Sequence, residues 1–174
     1  ADVVWARSPG DLDGAELVVL PGSKHVAGDV AWLRERGFGY ALASHARVLG
    51  ICGGLQMLGG RIEDAAGVDG SAVGLGLLPV ATTFAADKAT RRTAARFGAL
   101  EAPWGALSGL EVGGYEIRHG ATVAEGGAAV LEPELGFAAG AALGVYLLGI
   151  FEQPAFVAAL LGVRPPASLD AELD

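Results

Sequence analysis

The sequence holds a single cysteine, Cys52, among 174 residues. No disulfide can form within it, and a lone thiol favours a reducing, cytoplasmic setting. Charge is scarce as well: 18% of residues are charged and 52% hydrophobic, which excludes intrinsic disorder and leaves ample material for a core. The charge that exists leans acidic, 20 Asp and Glu against 12 Lys and Arg for a net charge of -8, and no block of five basic residues occurs. That balance opposes phosphate neutralisation, so nucleic acid is not an expected partner. No charged segment followed by an apolar stretch marks a signal peptide, and export is not expected.

Long apolar runs are missing with one exception. Leu135 to Phe151 carries no charge and spaces Gly136, Gly140 and Gly144 four residues apart, a pattern met in membrane helices. The run is short for a span, is fenced by Glu134 and Glu152, and has no basic flank. It reads as a turn followed by a buried strand, and no membrane partner is expected. Glycine is abundant, 28 residues, but without a three-residue period, which excludes collagen.

Strands and helices alternate along the chain. Val3 to Ala6 and Glu16 to Leu20 read as short strands, Asp29 to Arg36 and Phe38 to Ala46 as helices, Val48 to Ile51 as a buried strand and Gly53 to Leu58 as a helix. Further on, Gly76 to Phe84, Val112 to Ile117, Ala128 to Leu131 and Val145 to Ile150 read as strands, and Pro154 to Leu161 as a closing helix with proline in its first turn. The pattern predicts one α/β domain over residues 1–163, with a parallel sheet and an added antiparallel portion; residues 164–174 are expected to be a disordered tail.

The chemistry concentrates at Gly50-Ile51-Cys52-Gly53-Gly54, where an apolar strand runs into a helix. Small residues two places either side of a central side chain permit the sharp turn of a nucleophile elbow. The helix N-terminus behind Cys52 would lower its thiol pKa. Spacing alone leaves a second reading open, that Cys52 is a small buried hydrophobe. Pro21-Gly22-Ser23 ends an earlier strand, and strand ends on one edge of a parallel sheet share a crevice. Backbone N–H groups near Gly22 and Gly53 could there form an oxyanion hole, although a plain turn also fits the former.

Several motifs in fixed order carry a resemblance. Leu20 to Lys24 (LPGSK), Gly50 to Gly59 (GICGGLQMLG), Gly74 to Val80 (GLGLLPV), Gly114 to Ile117 (GYEI) and Gly144 to Leu147 through Glu152 resemble the glutamine amidotransferase domain of cobyric acid synthases, a CobB/CobQ-type class I amidotransferase family, over roughly residues 3–160. The sister a,c-diamide synthases are the nearest alternative. The resemblance implies a class I, flavodoxin-like fold: an open, mainly parallel sheet with helices on both faces. It implies that a cysteine takes the side-chain amide of glutamine and releases ammonia to an N-terminal, ATP-dependent synthetase domain that amidates corrin carboxylates. ATP and magnesium are expected in that domain only, since this sequence has no GxxxxGKS/T phosphate loop. No cofactor or metal is expected in the present one.

Residue by residue, the resemblance implies Cys52 as nucleophile, Gly22 and Gly53 at the oxyanion hole, and Gln56 lining the glutamine pocket, where a solvated helix residue is the other reading. Tyr115 and Glu116 fall in a family motif, and Glu116 also reads as an exposed strand carboxylate. The departure is Leu148, which stands where the family pattern Tyr-Leu-His-Gly places the catalytic histidine. Leucine cannot move a proton, and Ile150 stands where a third acid would be sought. His119, after GYEI, is a candidate surrogate base; His25 reads as a loop residue near the crevice and His45 as a partner of a helix C-terminus. Two classes follow: a glutaminase impaired at Leu148, or an inactive scaffold that keeps the fold and the pocket.

Overall fold

The computed structural model describes residues 2–126 and 129–162. Strand β1 (Val18–Leu20) leads into helix α1 (Val26–Glu35), and the left-handed Gly37 separates α1 from α2 (Phe38–Ala43). Strand β2 (Val48–Ile51) is buried along its whole length and turns at Cys52 into α3 (Gly53–Leu58). Next come β3 (Arg61–Glu63), β4 (Ala72–Val73) and the long pair β5 (Val80–Arg96) and β6 (Glu111–Ala124). The chain closes through β7 (Gly136–Ala139), β8 (Ala142–Val145), β9 (Leu147–Leu148) and helix α4 (Pro154–Leu161).

Two sheets form. In the first, ordered β1-β2-β8-β7, the first three strands are parallel and β7 closes the edge as an antiparallel hairpin with β8. Parallel strands here are apolar throughout because helix α3 covers them: Leu55 and Leu58 are fully buried beside Leu49 and Leu143. The second sheet, β4-β3-β5-β6-β9, carries the antiparallel portion and joins β3 to β5 in parallel. Its β5–β6 ladder, a long two-stranded arm, shifts register at a bulge between Thr83 and Lys88.

The run from Leu135 to Phe151 holds the β7–β8 hairpin and β9 before ending in a 3-10 turn at Ile150–Glu152, and among the described residues no helix is long and apolar enough to cross a membrane. Other elements differ from the sequence reading. Val3 to Ala6 forms no strand: Val3, Val4 and Trp5 are 75–81% exposed and pair with nothing in either sheet. The strand read at Gly76 begins only at Val80, because the preceding residues turn to bond back to Leu58 and Gly59. Ala128 lies outside the described residues, and Leu131 makes isolated bridges to Phe97 and Gly136 in place of a strand. Val145 to Ile150 divides between β8, β9 and the turn. The tail read at 164–174 also lies outside the described residues.

Candidate active site

The elbow is where the sequence places it. Cys52 takes φ 51° and ψ -108°, a positive-φ conformation outside the left-handed helical well that a side-chain-bearing residue adopts only when its surroundings enforce it. The enforcement comes from hydrogen bonding and close packing. The Cys52 N–H donates to Val145 O at 2.8 Å, tying the turn to β8. A Cβ at Gly50 would lie 2.6 Å from the Gly54 carbonyl carbon, and one at Gly54 would lie 2.1 Å from Leu20 O. Only glycine at both positions lets strand, turn and helix come this close.

The Pro21–Ser23 turn at the end of β1 faces this elbow. A Cβ placed on Gly22 would stand 3.8 Å from each of Cys52 Cβ, Ile51 O and Leu148 Cδ2, so the three groups surround one point. Gly53 packs on the same turn from the helix side, its Cβ direction ending 2.7 Å from Ser23 N. Leu148 is half-buried on β9, which is held to β6 by the Tyr115–Leu148 and Glu116–Leu147 pairs. Cys52, Gly22, Gly53 and Leu148 are therefore brought together, with an aliphatic side chain beside the thiol.

The thiol is half-buried, and its Sγ donates to Ile117 O at 3.3 Å. Burial pushes the Cys52 thiol up; the Gly53 N–H and the charges of Arg118 and Lys88 pull it back only in part. This corrects the lowered value read from the helix terminus. A six-residue helix supplies one useful N–H here, which does not offset desolvation of the sulfur.

Gln56 sits one helical turn behind, 3% exposed, with Nε2 donating to Tyr146 Oη at 3.2 Å. It is not the solvated residue of the second reading. Tyr146 Oη also bonds to Thr122 Oγ1, which bonds to Thr82 Oγ1 at 2.7 Å, forming a buried polar chain beneath the elbow. Arg118 stacks on the Tyr146 ring, its Cζ 4.5 Å from the centroid. Glu116 is fully buried, and this corrects its reading as an exposed carboxylate. It accepts from Arg91 Nε at 2.5 Å and from Arg118 Nε at 2.8 Å. Desolvation raises the Glu116 carboxyl, but the two guanidinium groups outweigh it and hold the group below its ordinary value. Tyr146 and Arg118 have no role in the sequence reading; a tyrosine amid an apolar run, which must find a partner for its hydroxyl when buried, is the signal that could have found the first.

The histidines are engaged elsewhere. His119 Nδ1 contacts Ala85 O at 3.3 Å in the bulge of β5, and among the described residues it makes no hydrogen bond to Cys52. His45 follows α2, but its Nδ1 accepts the Arg47 N–H at 3.2 Å and serves the turn into β2. His25 precedes α1 and pairs through Nδ1 with Asp69 Oδ1 at 2.5 Å.

Residues 1–156 match a family described as the CobB/CobQ-like glutamine amidotransferase domain. The cobyric acid synthase of Variovorax paradoxus strain S110 is 49% identical over 183 residues, covering 99% of this chain and 38% of that protein. Its counterpart in Paracidovorax citrulli strain AAC00-1 is 51% identical over 185 residues, covering 99% and 37%. The chain thus spans less than half the length of the curated relatives it matches. A solved structure described as a glutamine amidotransferase superposes with a TM-score of 0.61 at 16% identity, covering 91% of this chain and 85% of that one. A putative GMP synthase protein from Thermoplasma acidophilum gives 0.58 at 16% identity, covering 90% and 78%. The solved structures carry the class I amidotransferase fold, the family match extends from residue 1 to 156, and the relatives are about half identical, so this chain belongs to the CobB/CobQ-like glutamine amidotransferase family.

Proposed function

We propose that the domain binds glutamine at the Cys52 elbow as the ammonia-producing part of a cobyric acid synthase, and that Leu148 makes its turnover slow. In this reading the Cys52 thiolate attacks the side-chain amide carbon. The backbone N–H groups of Gly53 and the Gly22 turn receive the oxyanion, the C–N bond breaks, and ammonia leaves once it has gained a proton. Water then cleaves the thioester to give glutamate. The ammonia passes to an ATP-dependent synthetase domain that amidates corrin carboxylates, and ATP and magnesium belong to that partner.

The observation that carries the reading is the meeting of Cys52, Leu148 and Gly22 around one point. That proximity supports Cys52 as nucleophile beside an oxyanion turn, with Leu148 in place of a proton carrier. A second reading, a scaffold that binds glutamine without turnover, is favoured by the half-buried Sγ resting 3.3 Å from Ile117 O, where a thiol and not a thiolate is stabilised. Ammonia release from glutamine, measured with and without the synthetase domain, separates them. Slow release stimulated by the partner supports the first, and glutamine binding with no release supports the second. Neither binding nor release would overturn both.

A further inference from the structure

The turn that carries Gly22 is fastened to a distant loop by a chain of polar contacts. Asp64 Oδ2 accepts the backbone N–H groups of Asp69 and Gly70 at 2.7 and 2.6 Å, which holds the backbone that carries the Asp69 carboxylate. Asp69 Oδ2 accepts the Ala27 N–H at 2.8 Å, and its Oδ1 meets His25 Nδ1 at 2.5 Å. The His25 backbone N–H donates to Ser23 Oγ at 2.8 Å, and that hydroxyl donates to Asp29 Oδ2 at 2.5 Å. Ser23 in turn packs its backbone on Gly53. The His25 side chain is 71% exposed while that of Asp69 is 9% exposed, so a solvent-accessible imidazole caps a nearly buried carboxylate. A Cβ at Gly28 would fall 2.3 Å from His25 Nε2, which shows how closely the ring lies along the first turn of α1.

We infer that His25 and Asp69 form a positioning pair that sets the Gly22–Ser23 turn against Cys52 and Gly53, and that gain or loss of the His25 proton tightens or loosens this seating. The inference rests on the proposed glutaminase reading for its consequence, not for its geometry. The charged groups facing the ring are Asp69 from the 64–71 loop and Asp29 from α1, with Lys24 beside it on the turn itself. The hydrogen bond and charge of Asp69 outweigh desolvation and raise the imidazole above its ordinary value. The sign follows: the charged pair is complete below the ordinary histidine value and is lost as pH rises through the raised one. A neutral imidazole can still donate from Nδ1, so the contact then weakens without vanishing.

Two readouts test this on the chain as it is. In solution NMR, the Gly53 amide, far from His25 in sequence, should shift with the same apparent pKa as the His25 ring, and Asp69→Asn should abolish the coupling. The rate of Cys52 alkylation by a chloroketone analogue of glutamine, divided by the rate with iodoacetamide, cancels titration of the thiol itself. That ratio should fall severalfold as His25 deprotonates, should be low and flat in Asp69→Asn, and should stay high across the range in His25→Arg. A Gly53 amide that is flat while His25 titrates would overturn the inference, as would an unchanged ratio profile in Asp69→Asn. A coupled Gly53 with no reaction toward the chloroketone at any pH would instead sink the glutaminase reading and leave the pair standing.

Discussion

Cys52 Sγ lies 3.3 Å from the carbonyl oxygen of Ile117, a contact that suits a thiol donor and offers nothing to a thiolate. Desolvation raises the group further than the Gly53 N–H, Arg118 and Lys88 lower it. Alkylation by iodoacetamide, followed by mass spectrometry, should therefore be slow at neutral pH and accelerate as pH rises, with an apparent pKa above the ordinary thiol value. A rate already at its plateau at pH 7 would contradict the burial argument.

Glu116 separates a structural ion pair from a decorative one. Its buried carboxylate holds Arg118, whose side chain is 11% exposed, so Glu116→Ala leaves a cation without its partner and should cost about 3 kcal/mol in denaturant unfolding. Glu63 pairs with Arg61 at 2.8 Å with both side chains at least half exposed, and Glu63→Ala should change stability by less than about 1 kcal/mol. Because the Glu116 carboxyl is lowered in the folded state, its contribution is intact above the ordinary carboxylate range and is lost as pH falls through the folded value. Equal effects of the two substitutions would show that burial does not set the magnitude.

Gly54→Ala should be among the most damaging single-methyl changes, since the added carbon meets the carbonyl oxygen and carbon of Leu20 at 2.1 and 2.8 Å. Backbone of a buried parallel strand cannot step aside, and overpacking of this kind costs about 1–3 kcal/mol or more. Thermal unfolding of Gly54→Ala beside Gly10→Ala, where nothing lies within 4 Å, is the comparison; a similar Tm for both would refute the close-packed elbow.

The elbow was legible in the sequence because its cause is local: an apolar strand, glycines two residues either side of Cys52, and a helical run behind. The long arm was not. The middle of β5, from Ala85 to Thr93, is exposed on nearly every residue, so no alternation marks it as a strand; it is paired by β6 and not by a core. Burial of Glu116 was hidden for another reason, since Arg91 lies 25 residues away and only the β5–β6 register brings them opposite. Val3 to Ala6 shows the converse: two valines and a tryptophan, residues that favour strands, with no strand beside them to pair.

Leu148 lies beside Cys52 and the Gly22 turn, and its partial exposure means that an imidazole there need not be sealed in apolar packing. On the proposed glutaminase reading, a histidine at this position takes the thiol proton and returns it to departing ammonia, help worth about 10²–10⁴-fold in rate. Leu148→His should thus raise ammonia release from glutamine by orders of magnitude, with little change in Tm. His119→Ala should leave the activity of the parent and of Leu148→His unchanged, because its imidazole is committed to Ala85 O in the β5 bulge. If His119→Ala instead abolished a measurable parental activity while Leu148→His added little, the surrogate base would be His119 and its ring would have to leave Ala85 O to reach Cys52. Full turnover in the parent that survives alanine at His25, His45 and His119 together would defeat both accounts and require a proton carrier other than imidazole.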